Sequence, residues 1–92
     1  MIASFELMRP SKAKGTLIKT IRMLDRASNL DKQVTERILD AIPIVNEMQA
    51  LNVSDLRLLL RFFDRRQHII AVRTKGQRLV TELANARLMD NL

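Results

Sequence analysis

The chain has no cysteine, tryptophan or tyrosine, and its 92 residues include only two glycines and two prolines. Without cysteine it can form neither a disulfide framework nor a thiolate metal site, and it has no cysteine nucleophile. Because a chain without disulfides is typical of the reducing cytosol, we expect a cytoplasmic protein. The glycines, Gly15 and Gly76, form neither a phosphate-binding loop nor a dinucleotide-binding fingerprint.

Groups for catalysis or metal binding are also scarce. His68 is the single histidine, and no cysteine or second histidine completes a metal set with it. The ten carboxylates are scattered among cations along the chain. We therefore expect that the protein is not an enzyme and that it has no metal site and no cofactor.

Long apolar runs and aromatic residues are missing as well. No apolar run approaches the roughly 20 residues that span a bilayer, so no membrane partner is expected. Aromatics are 3% of the chain and apolar residues 47%, so the core must be built from Leu, Ile, Val, Met and Ala, which favours packed helices. Because a chain this short buries only a modest core by itself, a homodimer is expected.

What the chain does have is segregated positive charge. Its net charge is +6 and its isoelectric point is about 10.8. Residues 57–78 contain seven cations and one acid, Asp64, and residues 9–26 contain six cations and one acid, Asp25. The segment between these two is acidic. This alternation favours a polyanionic partner, although a charge run is also typical of a solvated helix face.

Apolar spacing divides the chain into a flexible basic N-terminal arm, residues 1–15, and a single helical DNA-binding domain, residues 16–92. Pro10 and Gly15 punctuate the arm. A first helix, over residues 16–27, is predicted by apolar residues at helical spacing: Leu17, Ile21 and Leu24.

A second helix is predicted to begin after an N-cap at Asp31. Its inward-facing residues are expected to be Val34, Ile38, Ile42 and Val45. Pro43 has no backbone donor and disfavours helical geometry at Ile42. We therefore expect the helix to end there and a short helix to restart at Pro43 and run to about residue 51.

The next turn predicts a helix-turn-helix near residues 43–63. Asn52 suits a turn, and Ser54 suits the N-cap of a helix with these residues inward: Leu56, Leu59, Leu60 and Phe63. In such a motif the second helix enters the major groove of DNA. Glu47 and Arg61 stand where the motif usually buries apolar residues. A two-helix hairpin without a DNA role would leave the same pattern.

Beyond Asp64 the sequence allows two interpretations. One is a single long helix over residues 54–90. The other, which we favour, is a short strand over residues 68–73 followed by a helix over residues 75–89, because Thr74 and Gln77 fit a capping box. The residues expected to face inward from that last helix are Leu79, Val80, Leu83 and Leu88.

The segment DRRQHIIAVRTKGQRLVTEL, residues 64–83, resembles the wing and following helix of MarR-type winged helix-turn-helix repressors, with weaker support from residues 51–63. In that family an Asp-Arg-Arg at the wing precedes a strand, and a Thr and a Gly then open the next helix. This chain leaves no room for a first wing strand before Asp64. The resemblance implies that Arg57 and Arg61 lie on a recognition helix. It also implies three arginines near the wing and the phosphates: Arg65, Arg66 and Arg73.

Arginine dominates lysine in this basic segment, and its planar guanidinium suits phosphates and guanine edges. The predicted DNA-binding residues are Ser54, Asp55, Arg57, Arg61, Arg65, Arg66, Arg73, Lys75 and Arg78. The first four of them are expected to read bases. A second series is either another phosphate-contacting face or the solvent side of a helix: Lys12, Lys14, Lys19, Arg22 and Arg26.

The sequence thus predicts a mostly α fold, a small domain of four to five helices with a helix-turn-helix and, at residues 68–73, a short β-strand or wing. The expected function is duplex DNA binding by a dimeric transcriptional regulator or a phage or plasmid accessory factor. Duplex DNA is preferred because no spaced aromatic series could stack single-stranded bases. The alternative is a helical protein–protein interaction module, such as a chaperone, anti-activator or assembly adaptor, whose basic face meets an acidic protein.

Overall fold

The computed structural model of the protein describes residues 5–26 and 32–90, and in those ranges it contains helices and no β-strand. A short 3₁₀ helix, Phe5–Leu7, precedes four α-helices: α1 (Pro10–Arg26), α2 (Lys32–Met48), α3 (Val53–Asp64) and α4 (Ile70–Asp90). The predicted mostly helical fold is confirmed. None of the described helices combines the length and the apolarity that crossing a bilayer requires. The chain divides into two compact units, Met1–Leu51 and Asn52–Leu92.

In the first unit, Met1–Leu51, α1 packs against α2 through the apolar stripes that the spacing predicts. The buried residues of α1 recur every four positions and are Ala13, Leu17 and Ile21. The buried residues of α2 are Thr35, Ile38, Ala41, Ile42 and Val45. Burial of one large aliphatic side chain contributes about 1.5–3 kcal/mol, so these stripes supply most of the attraction between the two helices.

The first helix, α1, begins six residues before its predicted start at Thr16. The helix begins at Pro10, so residues 10–15 are helical, while residues 1–4 lie outside the described residues. Proline suits the first helical position because its missing N–H would have no partner there. Ala13 is fully buried and extends the apolar stripe by one turn, which offsets the cost of about 1 kcal/mol that Gly15 imposes inside a helix. The predicted helix end at Ala27 and the Asp31 N-cap lie outside the described residues.

The predicted restart at Pro43 is wrong, because α2 runs without interruption from Lys32 to Met48. Proline in a helix interior costs about 3 kcal/mol. Here Ile42 and Val45 are fully buried on the inner side of α2, while Pro43 is exposed. Burial on both sides of the proline therefore outweighs the lost hydrogen bond.

The second unit, Asn52–Leu92, begins with the N-terminus of α3, and the predicted N-cap at Ser54 is wrong. The N-cap is Asn52, whose side-chain Oδ1 accepts from the backbone N–H of Asp55 at 2.8 Å. The Asp55 carboxylate accepts in return from the backbone N–H of Asn52 at 2.9 Å. This reciprocal pair of hydrogen bonds is a capping box. Because of it, α3 begins at Val53, two residues earlier in the chain than an N-cap at Ser54 would allow.

Residues 65–69 form a turn between α3 and α4, so both interpretations of this segment are wrong. The backbone N–H of Arg66 donates to the Phe63 carbonyl, and that of Ile69 donates to the Arg66 carbonyl. These local bonds end α3 and use donors that a strand would need. The helical spacing of Val72, which is buried, continues through Gly76 and Val80. Residues 70–73 of the predicted strand therefore form the first turn of α4, and residues 68–69 belong to the preceding turn. Thr74 consequently lies inside α4 and caps nothing.

The α3 and α4 helices pack together through aromatic side chains and a glycine. Phe62 and Phe63 are both fully buried, and their rings meet edge to face with centroids 5.3 Å apart. Gly76 lies directly against the Phe63 ring, where a β-carbon would overlap the ring carbons. Leu60 and Leu88, which were predicted to face inward, are 41% and 65% exposed. The buried face of each helix is thus narrower than its apolar stripe.

Candidate nucleic-acid interface

The exposed side of α3 presents three of the four residues that were expected to read bases. Ser54, Arg57 and Arg61 line one shallow depression of about 420 Å³ together with Leu60. Their spacing of three and four residues places them on one face of the helix. Arg65, at the C-cap of α3, is exposed and continues this line by one more turn. We call Ser54, Arg57, Arg61 and Arg65 the α3 face.

Asp55, the fourth residue expected to read bases, is engaged elsewhere. Its carboxylate belongs to the capping box, and the residue is only partly exposed. A carboxylate in that position holds the first turn of α3 together and keeps negative charge at a helix N-terminus, where the helix dipole favours it. Asp55 therefore shapes the start of the α3 face.

Arg66 departs most from its predicted place near the phosphates, because it is 2% exposed. Its guanidinium carbon lies 3.6 Å from the centroid of the Phe62 ring, and its Nη1 donates to the Phe62 carbonyl at 2.8 Å. That carbonyl belongs to the last turn of α3, where backbone acceptors lack helical partners. Arg66 thus supplies a buried side-chain donor to the last turn of α3, a role that a planar guanidinium can fill while stacking on an aromatic ring.

Arg73 also has a structural partner. Its Nη2 lies 3.4 Å from Oδ1 of Asp64, and Gln77 Nε2 donates to the same oxygen at 3.4 Å. The Arg73 Nε atom is buried without a hydrogen-bond partner. Arg73 and Gln77 of α4 thereby both contact Asp64, the last residue of α3. The Asp64 carboxylate pairs with the charge of Arg73 and links α3 to α4.

Lys75 and Arg78 of α4 are exposed, and neither lines the depression that holds Ser54, Arg57 and Arg61. Helical periodicity turns Arg78 away from Gly76, just as it turns Arg61 away from Phe63. Since Gly76 and Phe63 meet between the two helices, Arg78 lies on the side of α4 away from α3, and Arg61 lies on the side of α3 away from α4. The cations of residues 57–78 therefore do not converge on a single surface.

The five cations of the second basic series do not all lie on one side of α1. Four exposed cations share the side of α1 opposite the buried stripe, and we call them the α1 face: Lys12, Lys19, Arg22 and Arg26. Lys14 points elsewhere, since its Nζ donates to the Ala50 carbonyl at 3.2 Å. That bond ties α1 to the segment after α2 within the first unit.

An apolar groove on the second unit was not predicted from the sequence. It lies between α3 and α4 with a volume of about 340 Å³, and its apolar lining is Val53, Leu56, Leu60, Val80, Ala84 and Leu88. Arg57 and Arg87 line it as well. The signal in the sequence is the width of the apolar stripes, because each helix carries more apolar positions than one buried face can use. We call this feature the α3–α4 groove.

Comparisons with protein-family models, curated proteins and solved structures each find no match to this chain. The α1 face, the α3 face and the α3–α4 groove are the surfaces of the described residues that are available to a partner.

Proposed function

We propose that the protein binds duplex DNA and that the α3 face is its main contact surface. The observation that carries this proposal is the alignment of Ser54, Arg57 and Arg61 along one exposed depression. The sequence predicts the same three residues as base-reading residues. No hydrogen bond or ion pair within the described residues occupies the guanidinium groups of Arg57 and Arg61.

The dimensions of the α3 face suit a major groove. From Ser54 to Arg61 the helix rises about 10.5 Å, at 1.5 Å per residue. That length corresponds to about three base-pair steps of 3.4 Å. Arginine at such positions can donate two hydrogen bonds to a guanine edge, while neighbouring cations neutralise phosphates. In this proposal Arg57 and Arg61 contact guanine edges and phosphates, and Arg65 contacts the phosphate backbone of the duplex.

The helix-turn-helix and the homodimer belong to this proposal as well. Residues 49–52 separate α2 from α3, a length that suits the turn of such a motif. A two-fold dimer would recognise half-sites about 34–36 Å apart. Sedimentation equilibrium of the free protein tests the dimer separately from DNA binding.

Fluorescence anisotropy with a labelled duplex tests the proposal across a salt series of about 50–200 mM. The wild-type protein is expected to bind with an affinity that falls as salt rises. Arg57→Ala and Arg61→Ala are each expected to weaken binding and to reduce the slope of log affinity against log salt by about 1. The matched control is Arg37→Ala, which removes an exposed cation from α2.

Three results would contradict the proposal. They are an absence of binding at low salt, an affinity that does not change with salt, and equal effects of Arg61→Ala and Arg37→Ala. The last result would mean that net charge alone, without the α3 face, accounts for the binding.

A further inference from the structure

We propose that the α3–α4 groove binds an acidic amphipathic helix of a protein partner. This goes beyond DNA binding, because the groove is lined mainly by apolar side chains, although it shares Arg57 with the α3 face. Among the described residues of the second unit, four large apolar side chains are exposed, and three of them lie close together: Val53, Leu60 and Leu88, at 57%, 41% and 65%. All three line the groove. Apolar exposure concentrated in one concave place is typical of an interaction site, whereas single exposed apolar residues are ordinary.

The dimensions of the groove match two turns of a helix. It is an open groove with a volume of about 340 Å³. Along α3 the lining extends from Val53 to Leu60, a rise of about 10.5 Å. An amphipathic helix places anchors at i, i+3 or i+4 and i+7, so its first and last anchors are also about 10.5 Å apart.

The positive charges that line the groove favour an acidic partner helix. Arg57 of α3 and Arg87 of α4 both line it, and among the residues whose side chains the structure describes no acidic one does. If two copies of the chain met through this groove in a two-fold dimer, each would present the same arginines to the other. That arrangement would bring like charges together, whereas glutamates or aspartates beside the apolar anchors of a partner helix would neutralise them.

A synthetic peptide tests the proposal on the full chain. The probe is a fluorescein-labelled helical peptide with leucines at i, i+3 and i+7 and glutamates on the flanking positions. It is expected to bind at least about tenfold more tightly than a scrambled peptide of the same composition, and more tightly than a version with lysine in place of glutamate. The Leu60→Gln/Leu88→Gln variant is expected to weaken binding by at least about tenfold.

The matched control variant is Leu7→Gln/Met23→Gln. It replaces two exposed apolar residues of the first unit and is expected to bind the peptide like the wild type. Far-UV circular dichroism of both double variants checks that helix content is retained. Arg61→Ala separates this proposal from the DNA proposal, since it is expected to weaken DNA binding and leave peptide binding unchanged.

Several results would overturn the inference. Equal binding of the scrambled or lysine peptide would remove the role of the apolar pattern or of the acids. Unchanged binding by the Leu60→Gln/Leu88→Gln variant would move the site elsewhere. If the peptide fails to bind, and sedimentation shows a dimer that this variant dissociates, the groove belongs to a second copy of the chain. Absence of both peptide binding and a dimer would leave the groove without the proposed partner.

Discussion

Gly15 and Gly76 both lie inside α-helices, but their surroundings differ. A β-carbon at Gly15 would have no neighbour within 4 Å, whereas one at Gly76 would meet the Phe63 ring. Gly15 is exposed and Phe63 is fully buried. The first glycine is therefore a local weakness of α1, and the second is what allows α4 to approach α3.

Alanine at the two glycines is expected to have opposite effects on stability. Gly15→Ala should raise the free energy of unfolding by about 0.5–1 kcal/mol, because alanine loses less backbone entropy in a helix. Gly76→Ala should lower it by about 1–3 kcal/mol, because the added methyl group overpacks the Phe63 contact. Urea denaturation followed by circular dichroism measures both. A Gly76→Ala variant as stable as the wild type would contradict the close packing of α4 on Phe63.

Arg66 is expected to matter for folding rather than for DNA contact. Arg66→Ala removes a cation–π contact and leaves the Phe62 carbonyl without its side-chain donor, which should cost about 2–3 kcal/mol. Arg66→Met keeps much of the volume and should cost less. The control is Arg65→Ala at the exposed neighbouring position, expected within about 0.5 kcal/mol of wild type in urea denaturation. Equal losses for Arg65→Ala and Arg66→Ala would contradict the role of Arg66 as a buried donor.

At the scale of the helix, the N-terminus of α3 provides a direct comparison of two capping positions. Asn52→Ala should lower the free energy of unfolding by about 1 kcal/mol, because it removes the acceptor for the Asp55 N–H. Asn52→Asp keeps an acceptor and should cost much less. Ser54→Ala should be nearly neutral, because Ser54 lies inside the helix and caps nothing. Thermal and urea denaturation would contradict this assignment if Ser54→Ala proved the more costly change.

Apolar spacing predicted helical stripes correctly where the buried positions repeat over several turns, as at Leu17 and Ile21 or at Ile38 and Ile42. It failed where a local preference competes with packing. Pro43 disfavours a helix locally, and only burial on both sides of it keeps α2 continuous. The run at residues 68–73 is β-prone, but the turn after α3 and the Gly76 contact direct it into α4.

In the candidate site, residue spacing predicts which side chains share a helix face, but it does not predict which side chains are buried by packing. Ser54, Arg57 and Arg61 share a face because helical periodicity alone determines it. The burial of Arg66 could not be predicted, because it depends on the end of α3 and on the Phe62 ring lying beside it. Asp55 likewise became a capping residue once the helix began at Val53 rather than after Ser54.

At the scale of the whole molecule, exposed cations of both units contribute to the net charge of +6. The α1 face belongs to the first unit and the α3 face to the second. Each phosphate that a cation neutralises contributes about 0.9 to the salt slope of DNA binding. The salt slope therefore reports the number of phosphates that the protein neutralises, and the change in slope can be compared between charge variants of the α1 face and of the α3 face.

The last prediction concerns the α1 face. Lys19→Gln/Arg22→Gln is expected to reduce the salt slope of duplex binding by about 2, because both side chains lie in the exposed row of α1. The control, Lys32→Gln/Arg37→Gln on α2, removes the same charge from a helix where Lys32 already pairs with Glu36 at 3.8 Å, so its slope should stay close to wild type. Equal reductions by both variants would indicate a general effect of net charge. If neither variant changes the slope while Arg61→Ala does, DNA contact is confined to the second unit, and the α1 face is a solvated helix surface.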